Sequence, residues 1–252
     1  GCNWLLDGCA TYWISFNNLV QKVFSGTRLH VVGVDKASPS EWYMVIANHQ
    51  SWVDILVLQR IFNRKIPFLK FFLKKELIWV PFLGLAWWAL DFPFMRRYSK
   101  KFLEKHPHLK GKDIETTRKA CAKFRHIPVS VMNFVEGTRF TRGKHEQQGS
   151  PYRHLLQPKA GGIAFTLAAM GDQLHRLVDV TICYPNGIPT FWDYVCGRVN
   201  EVRVKVRILP IDRTLVGDYF NNPEFQQTFQ QWLNCLWSEK DKTLAELHMP
   251  GQ

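Results

Sequence analysis

The apolar positions of this 252-residue chain follow two periods, and these predict its elements. Leu5, Leu6, Cys9, Tyr12, Trp13, Phe16, Leu19, Val20 and Val23 recur at spacings of three and four, the stripe of an amphipathic helix over residues 1–24. Such a stripe packs more often on its own domain than on lipid. Apolar runs from Trp42 to Ala47 and from Val129 to Val135 read as buried strands. A further strand is expected from Arg28 to Val34, parted from the next by the turn residues Ser38-Pro39-Ser40. Helices are expected from Ser51 to Phe62, Asp113 to Phe124 and Lys159 to Met170, with Arg118, Lys119 and Lys123 on a solvated side. The polar stretch from Thr141 to Pro158 reads as a mobile loop. The last strands run from Leu177 to Tyr184 and from Glu201 to Leu209. In the second of these Val202, Val204, Val206 and Ile208 alternate with Arg203, Lys205 and Arg207, so one face is wet and basic. A long helix from Glu224 to Leu247 carries Phe225, Phe229, Trp232 and Leu236 on one side. Strands alternating with helices predict an α/β sandwich, a mixed central sheet flanked by helices. The expected organisation is a membrane-proximal helix over residues 1–26 and one domain over residues 27–252.

Charge changes the picture next. The formal net charge is +12, which suits nucleic acid, anionic lipid or an acidic carrier protein. Ten Trp and eighteen Phe favour the membrane surface among these, because Trp prefers the membrane–water interface. No helix-turn-helix, zinc-knuckle or RNA-binding aromatic signature is present, so nucleic acid is not an expected partner. Between Pro67 and Phe94 aromatic residues crowd behind Lys70, Lys74 and Lys75, as in a greasy tunnel or a bilayer-facing surface. Within it the run from Leu77 to Leu90 is interrupted by Pro81 and Gly84 and falls short of the roughly 20 residues that span a bilayer. Six scattered cysteines form neither a Cys-x-x-Cys pair nor a zinc-spaced cluster. They read as free thiols in a reducing compartment, and no metal is expected.

Two segments carry chemistry. Asn48-His49-Gln50-Ser51-Trp52-Val53-Asp54 and Phe134-Val135-Glu136-Gly137-Thr138-Arg139 each follow a predicted buried strand. The carboxyl ends of strands in open α/β sheets are where ligands bind. Ser51 with Asp54 fits a capping box opening a helix, which leaves His49 on non-helical backbone and free to fold back onto Asp54. The carboxylate then fixes the imidazole tautomer, and the other ring nitrogen can take a proton. The same residues fit equally well a capping carboxylate beside a satisfied turn histidine. Gly137 permits positive φ, and Arg139 offers a planar fork for phosphate.

This pair of blocks resembles the lysophospholipid acyltransferase family, which includes bacterial 1-acyl-glycerol-3-phosphate acyltransferase and carries Asn-His-x-x-x-x-Asp and Glu-Gly-Thr-Arg in this order. Weaker blocks extend the resemblance from about Val31 to Pro185: Arg97 (or its neighbour Arg96) after Asp91, Lys159-Ala160-Gly161-Gly162, and Val180 to Pro185. The wording after Arg139 and from Lys75 to Gly84 is most similar to a bacterial branch that includes the inner-membrane protein YihG. The resemblance implies a glycerol-phosphate-acyltransferase-like sandwich and acyl transfer from acyl-CoA or an acidic acyl-carrier protein to a lysophospholipid, with no bound cofactor. It implies His49 and Asp54 as the catalytic pair. It makes Arg97, Glu136, Gly137, Thr138, Arg139 and Lys159 the phosphate-binding set, with Glu136 expected to pin Arg139 or a turn amide. Relatives usually carry hydrophobic helices ahead of the His block, so an anchor upstream of Gly1 and a place on the cytoplasmic face of a bacterial inner membrane are expected. A His/Asp hydrolase, a non-catalytic lipid-binding protein and a metal phosphoesterase are the competing readings.

Overall fold

The computed structural model describes residues 2–24, 26–74, 79, 90, 92, 94–95 and 112–249. In chain order these form α1 (Cys2–Phe24), β1 (Arg28–Val32), β2 (Tyr43–Ala47), α2 (Val53–Phe62), β3 (Leu69–Phe71), β4 (Leu73–Lys74), β5 (Phe94–Met95), α3 (Lys112–Cys121), β6 (Ser130–Phe134), α4 (Arg142–Gln148), α5 (Ala160–Met170), β7 (Arg176–Cys183), α6 (Phe191–Val195), β8 (Glu201–Pro210) and α7 (Pro223–His248). Most of the aromatic stretch from Pro67 to Phe94, and Arg96 and Arg97 after it, lies outside the described residues.

Six strands make one mixed sheet in the order β1-β8-β7-β2-β6-β3. β7, β2, β6 and β3 run parallel to one another, whereas β8 is antiparallel to β7 and parallel to β1. All five residues of central β2 are buried, which is why the strand reads as an unbroken apolar run. Its pleat splits the core. Met44 and Ile46 join the layer under α3, α5 and α7, with Ile163, Leu167, Phe229, Leu233 and Trp237. Tyr43, Val45 and Ala47 join the opposite layer, with Val53, Val57 and Leu58 of α2 and Tyr194 of α6. The α/β sandwich with a mixed sheet flanked by helices is therefore the fold.

Two expectations need correction, and one buried charge was not expected. The stretch from Thr141 to Pro158 is not all loop. Thr141 caps α4 by accepting the Lys144 N–H at 3.3 Å, and Gly149 closes it in the left-handed region at φ 55°. No residue of α4 is buried, so no apolar stripe announces it. The stripe of α1 is only partly covered: Ile14 is buried, while Tyr12, Trp13, Phe16 and Leu19 are exposed. α7 buries a charge the apolar pattern hides. Lys240 is wholly enclosed, its Nζ 2.5 Å from Asp179 Oδ1 and donating to the Val180 carbonyl at 2.6 Å. Arg207 braces the same aspartate at 2.6 Å and reaches out to Glu239 at 2.5 Å. Burial pushes the Lys240 pKa down, against the pull of the Asp179 carboxylate.

Cys9, Cys121, Cys183, Cys196 and Cys235 are free thiols. Burial pushes both Cys121 and Cys183 up to about 12, which leaves them inert as nucleophiles at neutral pH.

Candidate active site

The site grows where two parallel strands, β2 and β6, end together beside a third, β7. Ala47 of β2 lies beside Phe134 of β6 on one side and Val180 of β7 on the other. One residue on, Asn48 keeps the ladder going with its side chain. Its Nδ2 donates to the Ile182 carbonyl and its Oδ1 accepts the Ile182 N–H, both at 2.9 Å. The side-chain amide thus holds the β2 end against β7 while the backbone leaves the sheet. On the other side, the Phe140 N–H donates to the His49 carbonyl at 2.7 Å, and the Lys159 N–H donates to the Val135 carbonyl at 2.8 Å. These bonds stitch the two motif blocks and the start of α5 into one rim.

His49 sits on this rim, outside α2. Its Nδ1 lies 2.9 Å from Asp54 Oδ2, and its ring stacks on Phe134 with centroids 3.9 Å apart and planes 14° from parallel. Asp54 is fully buried and accepts three further bonds: Gln50 N–H at 2.6 Å, Ser51 N–H at 2.9 Å and the Tyr184 hydroxyl at 2.6 Å. Four donors around one carboxylate leave it acceptor-only, so Nδ1 of His49 carries the proton it shares with Asp54. Nε2 is left as the acceptor, with no hydrogen-bond partner among the described residues. Burial and the Asp54 carboxylate push the Tyr184 phenol well above its ordinary pKa, so it remains a donor.

The expected capping box forms only by half. Asp54 accepts the Ser51 N–H, but the Ser51 hydroxyl donates to the Pro189 carbonyl at 2.7 Å. That bond draws the hydroxyl toward the loop after β7. α2 then begins at Val53, after Trp52, with no side-chain cap.

Of the second block, Gly137 turns the chain at φ 68°, a backbone that a side chain would strain, and it lies against Lys159, whose Cδ a Cβ there would meet at 3.4 Å. Lys159 and Arg139 are exposed. The Arg139 guanidinium lies 5.1 Å from the Trp52 ring centroid, so the two blocks meet through a cation–π contact. Thr138 is engaged by a residue the sequence reading passed over: Lys144 Nζ donates to its hydroxyl at 2.7 Å and to the Arg139 carbonyl at 3.2 Å. Among the described residues no group of three His, Cys, Asp or Glu side chains is placed to hold a metal ion.

Glu136 departs from expectation. Its carboxyl is fully buried and pairs with neither Arg139 nor a turn amide. Backbone amides of His49 and Leu156 face it and hold its pKa down, but neither reaches hydrogen-bond geometry. Burial wins, raising the pKa from 4.5 to about 8, so the group is mostly protonated at neutral pH and does not repel an anion. The sign of the stability effect follows. An acid whose folded pKa is raised binds its proton more tightly when folded, so stability falls as pH rises from 4.5 toward about 8. Glu136→Gln is expected to remove that slope, an effect on the order of a few kcal/mol at most. Thermal melts at pH 5 and pH 8.5 check it: the variant gains melting temperature over wild type at the higher pH, and a gap that does not change with pH contradicts the assignment.

Comparison with known proteins gives a consistent frame. A family model described as "Acyltransferase" matches residues 28–185. The chain is 27% identical over 244 residues to 1-acyl-sn-glycerol-3-phosphate acyltransferase delta of Rattus norvegicus, covering 90% of this chain and 60% of that protein. It is 25% identical over 259 residues to lysocardiolipin acyltransferase 1 of Mus musculus, covering 97% of this chain and 64% of that one. The chain thus spans about three fifths of the length of these curated relatives. The crystal structure of PlsC from Thermotoga maritima, the 1-acyl-sn-glycerophosphate acyltransferase, superposes with a TM-score of 0.52 at 18% identity over 96% of this chain and 82% of that one, a likeness of fold.

Proposed function

The chain belongs to the acyltransferase family, and from that premise we propose that it moves a fatty acyl group from a thioester to the hydroxyl of a phosphate-bearing lysophospholipid such as 1-acyl-glycerol-3-phosphate. The observation that carries this reading is the His49–Asp54 pair at 2.9 Å, with Nε2 unpartnered among the described residues at a strand-end rim that also bears Arg139 and Lys159. In the proposed step Nε2 takes the proton of the acceptor hydroxyl as its oxygen attacks the thioester carbonyl. The tetrahedral intermediate collapses with loss of the carrier thiolate, and the imidazolium returns the proton to the sulfur. Asp54 orients the ring and balances its transient charge. No acyl-enzyme is needed. Acyl-CoA and an acyl-carrier thioester are both suitable donors.

Arg139 and Lys159 are the phosphate anchors in this account, together with Arg97. Gly137 supplies the turn between them, and Thr138 is held by Lys144. Glu136 stands behind this set as a buried acid facing the His49 amide. Replacing Arg139 or Lys159 by Ala is expected to raise the acceptor KM, by about tenfold for a lost charge-assisted contact. Mass-spectrometric assays with matched phosphorylated and unphosphorylated acceptors check this. The variants lose the preference for the phosphorylated acceptor; equal losses on both acceptors contradict the anchor role.

We also place the site against an anionic membrane surface, on its cytoplasmic side, and keep the resemblance to the YihG-like branch that the wording after Arg139 suggests. α1 and α6 share the layer of α2: Asn63 at the end of α2 donates to Ser15 at 3.0 Å, and Tyr194 of α6 bonds Arg60. Beside Trp13 and Phe16 of α1, the same layer exposes Trp52, Phe191, Trp192 (67% exposed) and Val195. No helix among the described residues is long and apolar enough to cross a membrane. Sedimentation with anionic vesicles is expected to weaken with salt without vanishing, and Trp13→Ser with Trp192→Ser to remove the salt-resistant part at unchanged circular dichroism. Vesicles ignored even at low salt contradict the surface.

A further inference from the structure

A cavity of about 490 Å³ opens beside the pair, lined by Gln50, Phe140, Tyr184 and residues of α4 and α7. That size suits a small-molecule site. Two of its walls belong to the catalytic geometry. Gln50 follows His49 directly and its N–H is bonded to Asp54, while Tyr184 donates its hydroxyl to the same carboxylate. Phe140, Pro185 and Ile188 give the cavity an apolar part, and its basic part is brought together from three stretches of chain. Arg142 and His145 come from α4, Arg153 and His154 from the loop after it, and His248 from the last turn of α7.

The cations are not spoken for. Among the described residues neither Arg142 nor Arg153 forms an ion pair. The nearby acid Asp241 spends its two oxygens on the backbone N–H groups of Arg153 and His154, both at 2.8 Å. Glu146 is the one carboxylate in the lining. His154 and His248 stack with centroids 5.0 Å apart and planes 13° from parallel. His248 Nδ1 is fixed by the Leu244 carbonyl at 2.8 Å and His145 Nε2 by the Tyr152 carbonyl at 2.6 Å, so each ring has its other nitrogen available. Two guanidinium forks facing one cavity are a phosphate-binding chemistry, to which an imidazole adds only when protonated.

We propose that this cavity holds the phosphate end of the acyl donor, the phosphopantetheine arm of coenzyme A, so that the arm enters past Gln50 and Tyr184 while the acceptor phosphate lies on Arg139 and Lys159. The reaction of two phosphate-bearing substrates then has two sets of cations near one base, Arg142 with Arg153 and Arg139 with Lys159. This inference rests on the acyl-transfer reading but is tested without turnover.

Isothermal titration of coenzyme A into the full chain is compared with the Arg142→Gln/Arg153→Gln variant, with circular dichroism to show that the fold is kept. Loss of two charge-assisted contacts is expected to weaken coenzyme A binding at least about tenfold. In steady state the donor KM is expected to rise by a similar factor while the acceptor KM stays within about twofold, because the contacts are made before the chemical step. A variant that binds coenzyme A as well as wild type overturns the proposal. So does a rise in acceptor KM with the donor KM unchanged, which assigns the cavity to the acceptor headgroup instead. Arginine-dependent binding of coenzyme A in a protein that acylates no lysophospholipid leaves this site standing and removes the acceptor reading. Transfer from acyl-CoA without measurable coenzyme A binding removes this site alone.

Discussion

His49→Ala is expected to lower acyl transfer by about 10²- to 10⁴-fold, the range of a lost general base, at little change in the KM of either substrate. The substitution is clean for a structural reason. The His49 ring stacks on one face of Phe134 and donates one of four bonds to Asp54, and the other three, from Gln50, Ser51 and Tyr184, keep the carboxylate satisfied without it. Circular dichroism and thermal melts of the variant should therefore match wild type closely. Asp54→Asn is the poorer test. Its amide would set an N–H₂ against a carboxylate site lined entirely by donors, so lost activity would be mixed with a strained turn. A His49→Ala protein that retains more than about a tenth of the wild-type rate contradicts the general-base role.

Lys240→Ala is expected to cost about 3–5 kcal/mol of stability, the usual penalty for removing one member of a buried ion pair. Asp179, itself enclosed, loses the ammonium that lies 2.5 Å from its Oδ1, and the Val180 carbonyl loses a donor. Arg207 still reaches Asp179 from its more exposed side, so the loss falls short of an isolated buried charge. Urea unfolding measures it. Replacing both members with Lys240→Met and Asp179→Leu should cost less than the sum of the single changes, because no charge is then stranded. A single-change cost below about 1 kcal/mol means that the pair does not pin α7 to β7.

These two residues also mark what the sequence makes legible. β2 is readable because a strand buried on both faces is apolar throughout, β6 because its residues are mostly apolar, and β8 because its burial alternates. His49 and Asp54 are readable because five residues of non-helical and helical backbone bring them together locally. Lys240 is not: Glu239, Lys240, Asp241 and Lys242 look like a solvated charge run, and only the sheet across from α7 supplies the partner. Tyr184 and Asn48 fail for the same reason, since their partners lie more than a hundred residues away in sequence. Glu136 was misplaced because motif membership says nothing about which way a side chain points at a strand end. α4 carries its start signal in Thr141 and its stop signal in Gly149, but with no buried residue its period is silent. The basic cavity is least legible of all, because three distant segments converge on it.

The central claim is transfer to an alcohol, not cleavage by water. Thiol release from labelled acyl-CoA, followed by the purified full chain with and without 1-acyl-glycerol-3-phosphate in vesicles, tests it most directly. The account predicts release that depends on the acceptor and matches diacylated product one for one, with little free fatty acid. Release that proceeds at the same rate without acceptor, yielding free fatty acid, contradicts it and makes the His49–Asp54 pair a water-activating hydrolase centre.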